Sequence, residues 1–285
     1  MNISGKTRIC GVIGDPIEHS LSPVIHNAAF QELKINYVYL AFKVKPAEVA
    51  NAVNGMRALN IRGLNVTMPH KSAVVKHLDR VDLSAQIVNS VNTILNKENL
   101  LFGFNTDGVG ALKALKENGV ELKGRKVVLL GAGGAARAIA YALAKEADEI
   151  AVLNRTVKPV QALAKVLEKA LTKKVTVGTL SPTDIALNLR DSDILVNATS
   201  VGMKPHFDDS PVPSQLLRPD LAVMDIVYNP LETKLAKEAK TARAKVINGV
   251  EMLIYQGAAS LELWTGKSAP VEAMRQAAFK HLMKV

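Results

Sequence analysis

Along the whole chain, short apolar runs of strand length alternate with longer segments whose apolar residues recur at helical spacing. Strands are predicted over Thr7–Ile13, Tyr37–Val44 and Ile61–Val66, and helices over Pro23–Leu33 and Ala47–Leu59. A short helix is expected to begin at Pro69, since proline is favoured at the first helical position. Val91–Leu95 and Leu100–Phe104 flank Asn96-Lys97-Glu98-Asn99 and read as a hairpin. The first part of the chain is therefore expected to be an α/β unit containing an antiparallel strand or pair. Asp107–Asn118 carries Val109, Leu112 and Leu115 at helical spacing, stops at Gly119, and reads as a link between domains. Beyond it lie Val127–Leu130, Glu149–Leu153, Val175–Val177, Asp193–Val196, Leu221–Val227 and Lys245–Ile247, a set of strands that suits a doubly wound parallel sheet. Glu251–Trp264 and Val271–Met283 are helical again, and on pattern alone they fit either domain.

The chain has 285 residues, 48% of them hydrophobic, enough for a substantial core and for two domains. Its formal charge of +10 is spread over helical faces, and aromatic residues make up 4% of the chain. No nucleic-acid partner is expected; the basic surface favours an anionic cofactor and an anionic small-molecule substrate. The single cysteine, Cys10, excludes an intramolecular disulfide, reads as a buried strand residue, and fits a reducing compartment, hence a cytoplasmic location. Lys6 and Arg8 interrupt the N-terminal apolar residues before a signal peptide can develop. Val127–Ala144 is apolar, yet Arg137 and a glycine turn divide it, so it reads as strand, turn and helix and no membrane is expected. His19, His26, His70, His77, His206 and His281 show no metal-ligand spacing, and no metal is expected.

Lys126–Arg137 reads KVVLLGAGGAAR, a strand running into Gly131-Ala132-Gly133-Gly134-Ala135 and then an alanine-rich helix. The first glycine permits a tight turn, the second lets a ligand approach the backbone, and small Ala136 allows helix and strand to pack closely. Free amides at the helix start can then face a pyrophosphate. The next strand ends in Asn154-Arg155-Thr156, where a dinucleotide fold discriminates the adenosine ribose. NAD sites usually place a carboxylate there. Arg155 instead offers a planar fork suited to a 2′-phosphate, so the expected cofactor is NADP.

Polar residues also gather at strand ends in the first part of the chain. Ser20 and Ser22 precede a helix that opens at Pro23, where their hydroxyls can either cap the helix or meet a carboxylate. Asn65, Thr67 and Lys71 follow one strand, and Asn92-Thr93 and Asn105-Thr106-Asp107 lie at the edges of the hairpin. Lys71, placed in the first turn of the helix expected from Pro69, would oppose the helix dipole and call for an anion, for which Asp107 is the candidate. An exposed lysine and an N-capping aspartate that never meet is the competing reading.

Taken in order and over nearly the whole chain, GDPIEHSLSPVIHN, NVTMPHK, SVNTI, GFNTDG, GAGGAARA, NRT, NATSVGM, DIVYNP and NGVEMLIYQGAASLELWTG resemble the shikimate dehydrogenase family. The resemblance implies a substrate-binding α/β domain over 1–106, a Rossmann-type NADP domain over 107–249, and helices of 250–285 returning to the first. It implies reversible NADPH-dependent reduction of 3-dehydroshikimate, with Lys71 and Asp107 catalytic and either one the formal acid. Ser20 and Ser22, assisted by Tyr228, would hold the carboxylate. Asn65, Thr67, Asn92 and Gln256, with Lys71 and Asp107, would hold the ring hydroxyls. Gly131, Ala132, Gly133, Gly134 and Ala135 would cradle the pyrophosphate, with Asn154, Arg155 and Thr156 around the 2′-phosphate and Gly249 and Met252 along the nicotinamide. A homodimer is a compatible assembly. A quinate/shikimate dehydrogenase of broader specificity, a methylenetetrahydrofolate dehydrogenase and a non-catalytic NADP-binding regulator are the rival readings. Arg155 argues against the first, the two serines against the second, and Lys71 with Asp107 against the third.

Overall fold

The computed structural model describes residues 3–203, 205 and 207–283, so His206 lies outside the described residues. The chain divides into two compact units, Met1–Asp107 with Ile254–Val285, and Gly108–Leu253. The first contains β1 (Arg8–Gly14), α1 (Ser22–Glu32), β2 (Tyr37–Lys43), α2 (Val49–Ala58), β3 (Gly63–Val66), β4 (Arg80–Val81), α3 (Leu83–Ile87), β5 (Thr93–Lys97) and β6 (Leu100–Phe104). Then come α4 (Asp107–Glu117), β7 (Lys126–Leu130), α5 (Gly134–Glu146), β8 (Glu149–Asn154), α6 (Val157–Leu171), β9 (Val175–Thr179) and α7 (Pro182–Leu189). The chain continues through β10 (Ile194–Asn197), β11 (Ala222–Asp225), α8 (Lys234–Thr241) and β12 (Lys245–Ile247) to α9 (Gly249–Thr265) and α10 (Val271–Leu282). The second boundary between the units falls inside α9, after Leu253.

In the first unit six strands lie in the order β2-β1-β3-β5-β6-β4. Only β5 runs against its neighbours, pairing antiparallel with both β3 and β6, so a single reversed strand interrupts an otherwise parallel sheet. The hairpin turn is tighter than the pattern implied. Asn96 and Lys97 stay in the ladder opposite Leu101 and Leu100, and only Glu98 and Asn99, at φ 55° and 65°, make the turn. Positive φ at both central residues is what a two-residue hairpin needs to match strand twist. Ile13, Met56, Leu64, Ile94 and Leu101 belong to the core that this sheet buries.

The helix expected from Pro69 is absent. Helical continuation would need the Lys71 carbonyl for Val75, but that carbonyl accepts from the Val91 amide at 2.8 Å, and the Val75 amide turns to Ser72 instead. The segment consequently forms turns and a single 3₁₀ turn, Val75–His77. Lys71 therefore faces no helix dipole. The helix expected over Ala47–Leu59 likewise begins as a 3₁₀ turn, Pro46–Glu48, and is α-helical only from Val49.

The second unit carries the expected parallel sheet, ordered β12-β11-β10-β7-β8-β9. Crossover helices cover it; in α6 the buried residues Val160, Leu163, Ala164 and Leu167 form one stripe at helical spacing. Strand β11 is shorter than its apolar run because the Val227 amide bonds the Asp225 carboxylate, which draws the chain out of the ladder.

One close approach fixes the back of the first sheet. A Cβ added at Gly63 would lie 2.3 Å from Nε1 of fully buried Trp264, whose indole donates to the Ile94 carbonyl at 3.0 Å. Gly63→Ala is expected to destabilise the protein by about 1–3 kcal/mol, the usual range for overpacking a filled core. Urea unfolding checks this; a loss under about 0.5 kcal/mol, within the range of ordinary surface changes, would show that Trp264 moves aside freely.

Candidate functional site

Because β5 is reversed, its first residues share a sheet edge with the last residues of β3 and β6. Asn65 stands opposite Thr93, and Thr93 opposite Phe104, so Asn92, Thr106 and Asp107 emerge together. Lys71 reaches the same edge from the turn after β3, and its Nζ lies 2.6 Å from Asp107 Oδ2, the two side chains being 17% and 6% exposed. The other carboxylate oxygen accepts from Asn92 Nδ2 at 2.9 Å. The Asn92 side-chain oxygen Oδ1 accepts from the Thr106 amide at 2.8 Å and the Thr93 hydroxyl at 2.9 Å, which aims its NH₂ group at Asp107. A buried carboxylate is costly unless paired and hydrogen-bonded, and this one is both. Lysine and aspartate therefore meet through a direct ion pair, not through the helix start that the sequence suggested.

Behind this pair lies a buried polar chain. Asn65 Nδ2 is within 3.0 Å of Ser260 Oγ and 3.1 Å of Thr93 Oγ1, while Asn65 Oδ1 accepts from the Tyr39 hydroxyl at 2.7 Å. Gln256 Oε1 lies 3.3 Å from Asn92 Nδ2. Ser22 is buried beside the Tyr39 phenol, whose pKa burial pushes well up, leaving it a protonated donor. Neither serine caps α1: the capping position is Leu21, and among the described residues Ser20 Oγ accepts only from the Ser22 amide, at 3.3 Å. Thr67 stands just past the end of β3, partly exposed. Tyr39 and Ser260 were not read from the sequence. Ser260 was findable, one helical turn beyond Gln256 on α9; Tyr39 sits within an apolar strand and gave no signal beyond its hydroxyl.

In the second unit the register Leu130↔Leu153 sets the loop Gly131–Ala135 beside Asn154, Arg155 and Thr156. Gly131 has φ +113° and would place a Cβ 2.7 Å from the Ala198 carbonyl oxygen, so it serves the tight turn. Gly133 precedes α5, and a Cβ there would meet nothing within 4 Å, leaving the backbone open to a ligand at the helix start. Ala136 is buried. Asn154 Nδ2 donates to the Thr156 carbonyl at 3.1 Å, while Arg155 is exposed and makes no hydrogen bond or ion pair among the described residues. This geometry fits a dinucleotide with an additional phosphate. A Cβ on Gly249 would lie 2.6 Å from Ile226 and Val227 backbone atoms, so glycine lets α9 begin against the loop that carries half-buried Tyr228. Met252 is buried in the same first part of α9.

That loop is tied down by Asp225, which the sequence reading passed over although it and Asn197 each end an apolar strand. Asp225 accepts from Thr233 Oγ1 at 2.7 Å, Asn197 Nδ2 at 2.9 Å and the Val227 amide at 3.1 Å. Among the described residues no group of three or more histidine, cysteine, aspartate or glutamate side chains could hold a metal, and no helix is long and apolar enough to cross a membrane.

Comparison with known proteins covers nearly the whole chain. Family models match residues 12–94 (shikimate dehydrogenase substrate binding domain), 113–227 (shikimate / quinate 5-dehydrogenase) and 249–279 (shikimate 5′-dehydrogenase C-terminal domain). A shikimate dehydrogenase (NADP⁺) of Methanopyrus kandleri is 49% identical over 99% of this chain and 98% of its own. A crystal structure of a shikimate dehydrogenase in complex with NADP⁺ superposes with a TM-score of 0.94 at 46% identity, covering 99% of this chain and 98% of that one. The Thermus thermophilus enzyme in complex with NADP(H) and shikimate superposes with a TM-score of 0.86 at 39% identity, covering 96% of this chain and 99% of that one.

Burial raises the Asp225 carboxyl from 3.8 to about 6 despite the opposing bonds from Thr233, Val227 and Asn197. A raised folded-state pKa contributes stability that is complete below the unfolded value and is lost as pH rises through the folded one. Over the whole titration that rise corresponds to about 3 kcal/mol. Between pH 4 and pH 7, wild type is therefore expected to lose about 2 to 2.5 kcal/mol of stability relative to Asp225→Asn, because the unfolded carboxyl is already partly ionised at pH 4, read by urea unfolding of both at each pH. Parallel stability curves would overturn the assignment.

Proposed function

The chain belongs to the shikimate dehydrogenase family, and on that premise we propose that it reversibly reduces 3-dehydroshikimate to shikimate with NADPH, a step of aromatic amino-acid biosynthesis. The observation that carries this reading is the partly buried Lys71–Asp107 pair at 2.6 Å, joined to a ring of neutral hydrogen-bonding groups. Bound NADPH supplies a hydride. Reduction of a ketone leaves negative charge on its oxygen, which needs a positioned proton. Lys71 donates that proton from Nζ and takes it back from the substrate hydroxyl in the reverse direction, while Asp107 orients the lysine nitrogen and stabilises its charged form. Asn92, by holding the second Asp107 oxygen, keeps the carboxylate turned toward the lysine.

Asn65, Thr67, Asn92 and Gln256 hold the ring hydroxyls, and Ser20, Ser22 and Tyr228 hold the carboxylate. Gly131, Ala132, Gly133, Gly134 and Ala135 receive the pyrophosphate, Asn154, Arg155 and Thr156 the 2′-phosphate, and Gly249 and Met252 the nicotinamide. Most of the substrate-binding residues thus fall in 1–106 with the helices of 250–285, and most of the cofactor-binding residues in 107–249; Asp107, Tyr228 and Met252 fall outside that division. A regulator without turnover would have no use for a lysine poised on a buried carboxylate, and Arg155 does not suit the carboxylate-bearing ribose site of an NAD-dependent quinate enzyme.

Mixing the protein with shikimate and NADP⁺ should generate NADPH absorbance. Lys71→Ala is expected to lower kcat by about 10² to 10⁴ with a smaller change in KM, the range for losing a positioned acid/base group. Activity within about threefold of wild type would remove Lys71 from this role.

Arg155→Asp replaces a cation by an anion opposite a phosphate. Competing-cofactor kinetics should show NADP⁺ strongly weakened and the preference moved toward NAD⁺. An unchanged preference would mean that Arg155 points elsewhere.

A further inference from the structure

We propose that Tyr39 is a positioning residue for the substrate site, its hydroxyl setting the orientation of the Asn65 amide and, through Thr93 and Ser260, that of Asn92 and Asp107. The inference rests on the function proposed above and adds a residue that does not itself touch substrate.

Tyr39 is held at three levels. It lies on the edge strand β2, where its outward backbone groups have no neighbouring strand, and the Asn27 side chain replaces one: Nδ2 donates to the Tyr39 carbonyl and Oδ1 accepts from its amide, each at 2.9 Å. The ring is stacked on His26 at 4.4 Å between centroids with 8° between planes, and Trp264 packs against it at 6.0 Å. Among the described residues neither buried His26 ring nitrogen has a hydrogen-bond partner, and burial holds its pKa down to about 3, so the imidazole serves as a neutral plate. Ser22, His26 and Asn27, from successive turns of α1, thus converge on one tyrosine. The ring alone would be satisfied by phenylalanine, which would spare the cost of burying a hydroxyl. The hydroxyl therefore has work to do at its tip.

That tip faces an amide whose direction matters. Asn65 offers two protons to three acceptors: the Asn92 carbonyl at 3.1 Å, Thr93 Oγ1 at 3.1 Å and Ser260 Oγ at 3.0 Å. A flipped amide would point its oxygen at the Asn92 carbonyl, acceptor against acceptor, and its NH₂ at the Tyr39 proton. The tyrosine donor and the backbone acceptor therefore select one orientation. With Asn65 donating, the Thr93 hydroxyl is directed onward to Asn92 Oδ1 at 2.9 Å, and it also lies 2.8 Å from Ser260 Oγ. Asn92 then presents its NH₂ to Asp107. Each member sets the polarity of the next, as expected of a buried hydrogen-bond network.

Tyr39→Phe tests this by removing one donor and little volume. The shikimate KM should rise about tenfold, the worth of one buried hydrogen bond, while the NADP⁺ KM stays within about twofold. Adding Ser22→Ala to Tyr39→Phe should cost less than Ser22→Ala alone, since the two share one oxygen, whereas a merely structural role would move the two ligands' KM values together. If Tyr39→Phe does not fold, Ser260→Ala interrupts the chain on the far side of Asn65 and should raise the shikimate KM with the same indifference to NADP⁺. An unchanged shikimate KM in a folded variant, or equal rises for both ligands, overturns the inference. If wild type oxidises shikimate and Tyr39→Phe matches it, only this inference falls; if wild type oxidises none, the proposed function falls and takes the inference with it.

Discussion

Asp107 is a carboxylate inside protein, and the arrangement of the first unit follows from what it takes to keep it there. One oxygen meets the Lys71 ammonium at 2.6 Å and the other the Asn92 amide at 2.9 Å. Removing either partner would leave a buried charge short of compensation, which is the expensive case for an internal ion pair. The reversed strand β5 brings Asn92 to the edge where β6 delivers Asp107. The carbonyl of Lys71, taken by Val91, holds the lysine in turns instead of a helix and so keeps it over the same edge.

The second unit solves a different problem with less side-chain chemistry. In an open parallel sheet all strands end on one side, and the loops that leave them gather there without special arrangement. Gly131 and Gly133 need only backbone freedom and empty space, and Arg155 only exposure. The exception is Asp225, whose three hydrogen bonds tie the loops after β10 and β11 to α8 at the expense of a buried carboxyl.

Strand and helix order was legible in the chain wherever apolar residues repeat with a clear period, as in α4 or the run before Gly131. Two short elements escape that pattern, β4 with two residues and α3 with five, too few to establish any period, and α6, α7 and α8 enter only as the crossovers that a parallel sheet requires. The helix expected at Pro69 failed for a reason no local pattern contains, since the Lys71 carbonyl in its first turn is claimed by Val91, far along the chain.

The candidate site divides in the same way. Its residue types and their places at strand ends were fixed by the sequence itself, because polar residues that interrupt apolar runs must fall where strands stop. Which of them meet was decided by tertiary structure alone. Lys71 and Asp107 could equally have stayed apart until the reversal of β5 joined their strands, and Tyr39 reads as one more core aromatic until α1 and Trp264 close around its ring and leave its hydroxyl facing Asn65. Periodicity is a property of neighbours along the chain, whereas hydrogen-bond direction is a property of neighbours in space.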